Sequence, residues 1–420
     1  MQIRRFLYNL LLLLVTPYVF LYLLWRARKQ PEYLSHLAER FGFYKEFSVK
    51  PVIWLHTVSV GETRAIQNLI KRLISAYPAY EILLTHTTPT GRAAGKQLYG
   101  NQVKRVYLPY DYPFAINLFL DRFSPRLGIL METEVWPNLT HACNNRNIPL
   151  LLLNARMSEK SLRRYVRFRS FTKDVFSNIS AISAQTPDDA SRLSMLGGKN
   201  ISINGNLKFD IEAPESMFNL AKDLRNKIGT GRPVFMAAST REGEELLILS
   251  AFAKINIPGL LMIIVPRHPQ RFDDVSTLIH HSGHVFQRRS ENRNIAKETN
   301  ILLGDSMGEM FAYYAAADLA FIGGSLLPFG GQNLIEACTV GTPVIVGPYM
   351  YNFEESTKIA INAGAAIKIN NIEEMVKVIN RLFQEEYSLQ NMRLQCKEFV
   401  ESNRGATEKS LAVIKNYLSH

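Results

Sequence analysis

Glu62 has the surroundings of a residue that could transfer a proton. It follows the apolar segment 52–55 and a Ser/Gly turn, at the start of a predicted helix over 63–77. A glutamate in the first turn of a helix is often only a capping residue that complements the helix dipole. The same place at a strand end also suits a general base that removes a proton from a hydroxyl group. The local pattern leaves both interpretations open.

A pair of carboxylates ends another apolar segment. Glu132 and Glu134 follow residues 127–131, and their spacing of two puts both side chains on one face of an extended backbone. Such a pair suits a divalent metal ion or catalytic work by one carboxylate, although a solvated strand end would look similar. Two carboxylates are too few ligands, and no histidine stands nearby at ligand spacing. We therefore predict no metal.

Cations in the first half are candidates for anion binding. Lys208, in the motif GNLKFD near the predicted domain junction, could stabilise a departing phosphate. Arg163 and Arg167 share a predicted helix face with Lys160 and Arg164. This face is either solvated or membrane-facing, or it binds acceptor phosphates through the forked hydrogen bonds that arginine makes.

The second half has several glycine turns and polar residues at successive predicted strand ends. Glycines let a phosphate approach the backbone, and free N–H groups at a helix start attract it. Together these turns predict a nucleotide site, whereas the absence of GxxxxGK[ST] and GxGxxG disfavours an ATPase or a dinucleotide enzyme. The candidate residues are Arg267, His268, Met307, Gly308, Glu309, Asn333, Leu334, Ile335 and Glu336.

These residues require a scaffold of alternating strands and helices. The length of 420 residues suits two domains, and repeated strand-turn-helix units predict an α/β fold of two Rossmann-like parallel-sheet domains facing across a cleft. We predict a membrane anchor over 1–30, a first domain over 31–206 and a second over 207–420 that includes the C-terminal helices. The predicted strands cover 52–55, 81–85, 127–131, 150–153, 234–238, 260–265, 319–322 and 344–346.

The N-terminal segment is predicted to be an uncleaved membrane anchor. The run Phe6 to Trp25 is apolar except for Asn9 and Thr16, long enough to cross a hydrocarbon core, with arginines at both ends. It is too long for a signal peptide, no small-residue cleavage site follows it, and its flanking charges argue against a helix buried in the protein. Basic residues after the anchor favour a cytosolic body. Because Pro17 could kink the helix, both a spanning and a shallow position stay open.

The net charge limits the kinds of partner that are expected, and the cysteine content indicates the cellular compartment. Lys plus Arg is 49 and Asp plus Glu is 37, a net charge of +12 that suits a nucleotide, a nucleic acid or an anionic membrane. No helix-turn-helix, zinc or aromatic RNA motif supports nucleic-acid binding. Three widely spaced cysteines disfavour a disulfide framework and indicate a reducing cytosol.

The motifs together resemble those of the bacterial 3-deoxy-D-manno-octulosonic acid (Kdo) transferases, which belong to the GT-B class of glycosyltransferases. The likeness covers nearly the whole chain, and the order and number of the motifs make it specific. The motifs are HTVSVGE, THTTPTG, METEVWPN, NARMS, GNLKFD, AASTREGEE, PRHPQRF, DSMGE, GGS, GGQNLIE and GPYMYNF.

The resemblance implies an inverting transfer of Kdo from CMP-Kdo to the tetraacyl disaccharide bisphosphate precursor of lipid A, without a metal or other cofactor. It makes Glu62 the proton acceptor and gives transition-state stabilisation to Glu132 and Lys208. It places CMP at the nine second-half candidates named above. Lipopolysaccharide core synthesis on the cytoplasmic side of the inner membrane is the implied setting, with the lipid acceptor and the membrane as partners.

Some positions depart from the usual family pattern. Leu334 and Ile335 replace a Pro-Leu pair, Arg241 stands where a histidine is common, and Tyr349 stands in GPYMYNF where a histidine is frequent. Other interpretations also stay open. They are a different nucleotide-sugar enzyme, such as a lipid A disaccharide synthase or an epimerase that uses a uridine donor, and a non-catalytic membrane scaffold with the same fold.

Overall fold

Strands and helices alternate along almost the entire chain in the computed structural model, which describes residues 2–28 and 30–418. The chain forms two compact units. The first unit is Met1–Asp210 with Arg404–His420, and the second unit is Ile211–Asn403.

The first unit is built on a seven-stranded parallel sheet with the order β3-β2-β1-β4-β5-β6-β7. Its apolar strands bury both faces, as parallel sheets covered by helices do. Its elements are α1 Gln2–Ala27, β1 Val52–His56, α2 Val60–Ala65, α3 Gln67–Ala76, β2 Glu81–His86, α4 Pro89–Tyr99, β3 Lys104–Tyr107, α5 Pro113–Phe123, β4 Pro125–Met131, α6 Pro137–Asn145, β5 Leu150–Ala155, α7 Glu159–Val166, α8 Arg169–Ser177, β6 Ala181–Ala184, α9 Pro187–Met195, β7 Ile201–Ile203 and α18 Ala406–Leu418, with 3-10 turns at Pro31–Tyr33, Leu37–Phe41 and Leu207–Asp210.

The second unit has a seven-stranded parallel sheet of its own, with the order β10-β11-β9-β8-β12-β13-β14. Its elements are α10 Glu215–Ile228, β8 Val234–Thr240, α11 Glu244–Phe252, β9 Leu261–Pro266, α12 Phe272–His281, β10 Phe286–Arg288, β11 Ile301–Leu303, α13 Met310–Ala316, β12 Leu319–Ile322, α14 Ile335–Thr339, β13 Val344–Val346, α15 Glu354–Asn362, β14 Ala366–Lys368, α16 Ile372–Gln384 and α17 Glu386–Asn403, with 3-10 turns at Pro269–Arg271 and Arg289–Glu291. The predicted parallel α/β fold is thus confirmed for both units.

Alternation of side chains along the strands builds the cores. In β1, Trp54 packs into a cluster with Phe119 of α5, whereas Ile53 and Leu55 pack on the opposite face of the sheet. One apolar cluster in the second unit joins its strands to α11, α12, α16 and α17. The free cysteines Cys143, Cys338 and Cys396 are all buried.

The final helix is a correction to the predicted domain division. We expected all C-terminal helices in the second domain, but α18 belongs to the first unit. The Asp210 carboxylate accepts hydrogen bonds from the backbone N–H groups of Gly405, at 2.7 Å, and of Thr407, which ties the start of α18 to the end of the first unit. Ile414 is then fully buried in the first-unit core. The compact first unit also extends to Asp210, beyond the expected end at 206.

The apolar N-terminal segment is the continuous helix α1, and Pro17 lies inside it. By length and composition, Arg4–Ala27 could cross a membrane.

Candidate active site

The strand order of the first sheet brings Glu62 and Glu132 to the same place. Strands β1 and β4 are neighbours, and the chain leaves β1 toward β2 but leaves β4 toward β5. Such a reversal opens a crevice at the carboxyl ends of the two strands, where ligands bind in open α/β sheets. Glu62 lies in α2 after β1, and Glu132 follows β4 directly. The structure therefore joins the two carboxylates at the switch point of this sheet.

Glu62 is both a capping residue and a member of this site. One carboxylate oxygen accepts the backbone N–H of Val58 at 2.8 Å, and the other accepts the Ser59 hydroxyl at 2.7 Å. In return, the Ser59 Oγ accepts the Glu62 N–H at 3.1 Å, so that Ser59 caps α2. This reciprocal capping box fixes the carboxylate in one position. Each carboxylate oxygen retains acceptor capacity, because a carboxylate accepts about four hydrogen bonds.

The environment of Glu62 suits proton transfer near neutral pH. Only 8% of the residue is exposed. The pKa of Glu62 is raised to about 7, chiefly by burial and also by the charge of Glu132, while the hydrogen bonds from Val58 and Ser59 oppose the shift. A general base works best when its pKa lies near the working pH. Burial and the charge of Glu132 also raise the pKa of Glu134.

Lys208 lies against Glu132. Its Nζ is 3.4 Å from Glu132 Oε1, and both side chains are partly exposed. Glu132 itself has a left-handed backbone conformation, with φ of 57°. A non-glycine residue in this conformation is uncommon and often marks a functional site. The structure thus unites Glu62, Glu132 and Lys208 in the first unit.

Asn154, in the motif NARMS, holds the segment that carries Lys208. Its side-chain oxygen accepts the backbone N–H of Leu207 at 3.0 Å, and its backbone carbonyl accepts Gln185 Nε2 at 2.9 Å. The side-chain oxygen of Asn206 accepts the Lys208 N–H at 3.0 Å. Sequence reasoning noted the NARMS motif without assigning this role. An asparagine directly after the apolar run 150–153 was the available signal in the sequence.

Two histidines behind the Glu62 loop are structural. His56 Nδ1 is 2.9 Å from Thr85 Oγ1, and His86 Nδ1 is 3.2 Å from Thr57 Oγ1. Burial lowers the pKa of His56 to about 4 and that of His86 to about 3. Both rings are therefore neutral at neutral pH, and they brace the ends of β1 and β2 beneath the loop.

The second sheet has its own switch point, between β8 and β12. The turn Gly323-Gly324-Ser325 leaves β12 there, and Gly323 donates to the Ala238 carbonyl at 2.7 Å. The fully buried Glu244 holds this turn. Its carboxylate accepts the N–H groups of Gly324 at 2.6 Å, Leu326 at 2.9 Å and Arg241 at 2.9 Å. Sequence reasoning missed Glu244.

A second glycine turn lies against the first. Gly331 donates to the Gly324 carbonyl at 2.7 Å. Gly330 and Gly331 have φ values of 92° and 76°, and a Cβ on Gly331 would lie 2.2 Å from the Met350 sulfur. Only glycine fits such a backbone without strain. The two turns together form the end of this sheet where the predicted phosphate site lies.

Cations follow the neighbouring strand β9. The Arg267 N–H donates to the Thr240 carbonyl at 3.0 Å, which places Arg267 and His268 at the end of β8. Arg241 Nη1 lies 2.9 Å from His268 Nε2. Burial and the nearby charges of Arg241, Arg267 and Arg271 lower the pKa of His268. Arg241, which departs from the usual family residue, is therefore part of this cationic cluster.

The remaining residues predicted to bind the nucleotide differ in how exposed their side chains are. Met307 is 60% exposed and Gly308 has a φ of 82°. The Glu309 carboxylate pairs with Arg289 Nε at 3.2 Å and accepts the Ser306 hydroxyl at 2.7 Å.

In the last motif, Asn333 Oδ1 accepts the Ile335 N–H at 3.1 Å, and Asn333 Nδ2 lies 3.4 Å from Glu336 Oε1. Leu334 and Ile335 are fully buried. Their side chains belong to the core, so only their backbone is available to a ligand.

The basic stretch of the first unit lies at the surface. Arg163 forms an ion pair with Glu159 one turn earlier, and Arg167 follows the end of α7. Leu162 and Tyr165, on the other side of α7, pack toward the core beside Trp136. The acceptor role of Arg163 and Arg167 stays a prediction. Within residues 2–28 and 30–418, no group of three or more His, Cys, Asp or Glu side chains is placed to hold a metal ion.

Comparisons with known proteins agree with these motifs. A sequence model described as 3-Deoxy-D-manno-octulosonic-acid transferase (kdotransferase) matches residues 35–211, and one described as Glycosyl transferases group 1 matches 242–401. The chain is 38% identical to the 3-deoxy-D-manno-octulosonic acid transferase of Bordetella pertussis, over 99% of both chains. It is 36% identical to that of Haemophilus influenzae, again over 99% of both. A glycosyltransferase structure from Rickettsia africae superposes with a TM-score of 0.57 at 14% identity, over 88% of this chain and 99% of that one, and supports the GT-B-like fold.

Proposed function

The chain belongs to the 3-deoxy-D-manno-octulosonic acid transferase family, and we propose that it transfers Kdo from CMP-Kdo to the bisphosphorylated, tetraacylated disaccharide precursor of lipid A in lipopolysaccharide biosynthesis. The observation that carries the proposal is the cluster of Glu62, Glu132 and Lys208 at the switch point of the first sheet.

Glu62 is the general base of the proposed reaction. The primary hydroxyl of the acceptor attacks the anomeric carbon of Kdo from the side opposite CMP, which inverts that centre. The new carbon–oxygen bond forms as the bond to the CMP phosphate breaks, and the electron pair of that bond leaves with the phosphate. The hydroxyl proton passes to Glu62, whose pKa of about 7 suits this transfer. The capping box holds the carboxylate in place for the attack.

Positive groups would meet the charge on the departing CMP. Lys208 is the candidate from the first unit, where Glu132 keeps its ammonium group oriented. Arg267, His268 and the backbone N–H groups of the glycine turns are the candidates from the second unit. Preorganised donors of this kind stabilise developing charge without reorganising during the reaction, and they would take the place of a metal ion.

The proposed division of labour follows the two units. The first unit, with Arg163 and Arg167, binds the lipid acceptor, and the second unit binds the nucleotide of the donor. The helix α1 holds the protein at the inner membrane with both units on the cytoplasmic side. Both substrates are anionic, which is consistent with the net charge of +12.

A transfer assay tests the proposed function. The purified full chain is incubated with a CMP-Kdo generating system and the lipid acceptor, and the products are weighed by mass spectrometry. We expect mass increments of whole Kdo residues, whose number counts the sugars added. The Lys208→Met variant, which keeps the length of the side chain and removes its charge, is the matched control and should transfer far more slowly. If the wild-type protein gives no increment, the proposed function is wrong.

Nucleotide specificity separates this proposal from its nearest rival. A lipid A disaccharide synthase or an epimerase would use a uridine donor. Ligands that bind only the folded state raise the unfolding temperature by mass action. We expect CMP to raise the unfolding temperature of the chain and UDP at the same concentration to leave it unchanged. The reverse result would favour the uridine enzymes.

A further inference from the structure

The helix α1 has an inner face that lies along the first unit over its whole length. The inner-face residues are those with partly or fully buried side chains, and they recur at helical spacing. They are Arg5, Tyr8, Asn9, Leu12, Thr16, Val19, Leu23 and Ala27. A stripe of this spacing is one side of a helix packed against a neighbour.

Three polar residues of the inner face, Tyr8, Asn9 and Thr16, each have a hydrogen-bonding partner in the first unit. The Tyr8 hydroxyl donates to Asp111 Oδ2 at 3.0 Å. Asn138 Nδ2 donates to Asn9 Oδ1 at 2.7 Å. The hydroxyls of Thr16 and Tyr112 lie 2.6 Å apart.

Asp111 joins this contact to the body of the unit. It is only 3% exposed, and its carboxylate also accepts the backbone N–H groups of Asn138 and Leu139, both at 2.9 Å. It therefore caps the start of α6 and binds α1 with the same carboxylate. Removing Tyr8 from it would leave a buried acceptor with one partner fewer.

Apolar contacts continue the packing toward the end of the helix. The rings of Phe20 and Phe41 are stacked, with centroids 5.3 Å apart. Leu23 is only 4% exposed. Near the start of the helix, the ring of Tyr8 lies 5.8 Å from that of Phe171 in α8.

The length of this contact conflicts with a membrane-spanning helix. At 1.5 Å per residue, the stretch from Arg5 to Ala27 covers about 33 Å, roughly the thickness of the hydrocarbon core. If α1 crossed the bilayer in this arrangement, the neighbouring parts of the first unit would lie in hydrocarbon. The exposed cations Arg164, Arg169 and Lys173 of α7 and α8 would then be close to lipid tails, where charges are costly.

The outer face and the ends of the helix fit a shallow position. The outer face is a second stripe at helical spacing, and each of its residues is between 56% and 71% exposed. They are Leu7, Leu11, Leu14, Tyr18, Leu21 and Trp25. Arginines lie at both ends, at Arg4 and Arg5 and at Arg26 and Arg28. A spanning helix would put one of these pairs on the far side of the membrane, against the usual preference for basic residues on the cytosolic side. A helix lying flat brings both pairs to one anionic surface.

We propose that α1 does not cross the bilayer but lies along its cytosolic surface, with the outer face in the lipid and the inner face bound to the first unit. This inference rests on the membrane location in the proposed function and adds the orientation of the helix. The partner is a lipid leaflet with anionic headgroups. The first unit is then held flat against the leaflet, with the basic stretch of α7 and α8 beside the headgroups.

Depth measurements along the outer face test the orientation. Leu7→Cys, Leu14→Cys and Leu21→Cys variants of the full chain are labelled one at a time with a small fluorophore and bound to phosphatidylcholine–phosphatidylglycerol vesicles. The vesicle lipids carry bromine, a quencher, either near the glycerol or near the end of the acyl chain. Wild-type protein, whose cysteines are all buried, is the labelling blank. Lys409→Cys in α18, which packs on the opposite face of the first sheet, is the control for a site in water.

We expect all three labels to be quenched mainly by the shallow bromines and to equal extents, with no quenching at Lys409→Cys. A spanning helix would instead give strong quenching by the deep bromines at Leu14→Cys and shallow quenching at the two ends, and would overturn the inference. Absence of quenching at all three positions would overturn both the inference and the proposed membrane location. The labelled variants are also assayed for Kdo transfer, so that a failed reaction counts against the proposed function alone.

A further variant tests whether docking on the first unit keeps the helix flat. Asn9→Leu with Thr16→Val removes two of the hydrogen bonds to the unit and makes the helix more apolar. We expect the label at Leu14→Cys to move toward the deep bromines in this background. Leu11→Val, on the outer face, is the matched control and should leave the depth unchanged. An unchanged depth in the double variant would show that the hydrogen bonds do not hold the helix in place and would overturn the docking part of the proposal.

Discussion

The two candidate sites differ in whether side chains or backbone groups form them. In the first unit, the groups aimed at chemistry are side chains, and Glu62 is fixed by the capping box of Ser59. In the second unit, much of the predicted donor site is backbone. Leu334 and Ile335 are buried, Glu309 is occupied by Arg289, and the two glycine turns contact each other.

Because of this difference, we expect substitutions in the two units to affect the transfer rate and CMP binding separately. Substitutions in the first unit should lower the rate of transfer and leave the fold and the binding of CMP intact. Substitutions in the glycine turns should weaken CMP binding and the fold together, because the backbone there serves both.

Glu62→Gln should separate proton transfer from capping. The amide oxygen of glutamine can still accept the Val58 N–H, so the start of α2 is retained while the base is lost. We expect the rate of transfer, kcat, to fall by about 10²–10⁴, with an unchanged unfolding temperature and unchanged protection by CMP. Glu62→Ala, which also removes the acceptor of the Val58 N–H and the Ser59 hydroxyl, should lose the same activity and also about 1 kcal/mol of stability. Near wild-type turnover by Glu62→Gln would show that Glu62 is only a cap.

Gly331→Ala should damage the second unit through its backbone. The new Cβ would lie 2.2 Å from the Met350 sulfur. Overpacking of this kind costs about 1–3 kcal/mol, or roughly 2–4 °C of unfolding temperature per kcal/mol for a unit of this size. We expect CMP protection to weaken in parallel. Gly283→Ala is the matched control, because Gly283 has nearly the same φ of 73° but open space around it. If the two variants behave alike, backbone strain alone explains the loss, and the clash with Met350 is unimportant.

Glu244→Gln should weaken CMP binding although Glu244 is fully buried beneath the Gly323–Ser325 turn. Its carboxylate accepts three backbone N–H groups, and a glutamine amide would turn its NH₂ group toward one or more of them. A buried donor without a partner costs about 1–3 kcal/mol, so we expect lower stability, a higher KM for the donor and a kcat close to wild type. Glu242→Gln, at an exposed residue 3.6 Å from Arg271, should change neither. A fall in kcat at unchanged KM would place Glu244 in the chemical step and weaken the contrast between the units.

The long apolar strands and the main motifs could be predicted from the sequence. Strands β1, β4, β12 and β13 lie where apolar runs of the right length predict them. The short edge strands β10 and β14 were missed, since three residues carry too little pattern to distinguish a strand from a loop. The predicted helix over 63–77 is two helices that meet at Ile66. The spacing of apolar residues along the sequence continues through Ile66 and does not indicate that the helix is interrupted there.

Residues that act through tertiary contacts were harder to predict. Glu62, Glu132 and Lys208 were named in advance, and their placement in one site depends on the order of strands, which local pattern does not encode. Glu244 and Asn154 were missed because their role is to bind backbone groups of distant segments. The return of α18 to the first unit depends on the Asp210 carboxylate, some two hundred residues away in sequence, and no local signal announces it.

The smallest expected effect is a shift in the pH dependence of transfer, and its direction differs between two variants. A general base works when deprotonated, so the rate should rise with pH through about 7, the pKa of Glu62. Because the charge of Glu132 raises this pKa, Glu132→Gln should move the acid limb of the kcat/KM profile to lower pH while reducing the rate throughout. Ser59→Ala removes a hydrogen bond that lowers the pKa of Glu62, so its acid limb should move to higher pH. Titration of the substrates is common to all variants, and only differences between the profiles are interpreted. Shifts of the same sign in both variants would mean that a group other than Glu62 controls the limb.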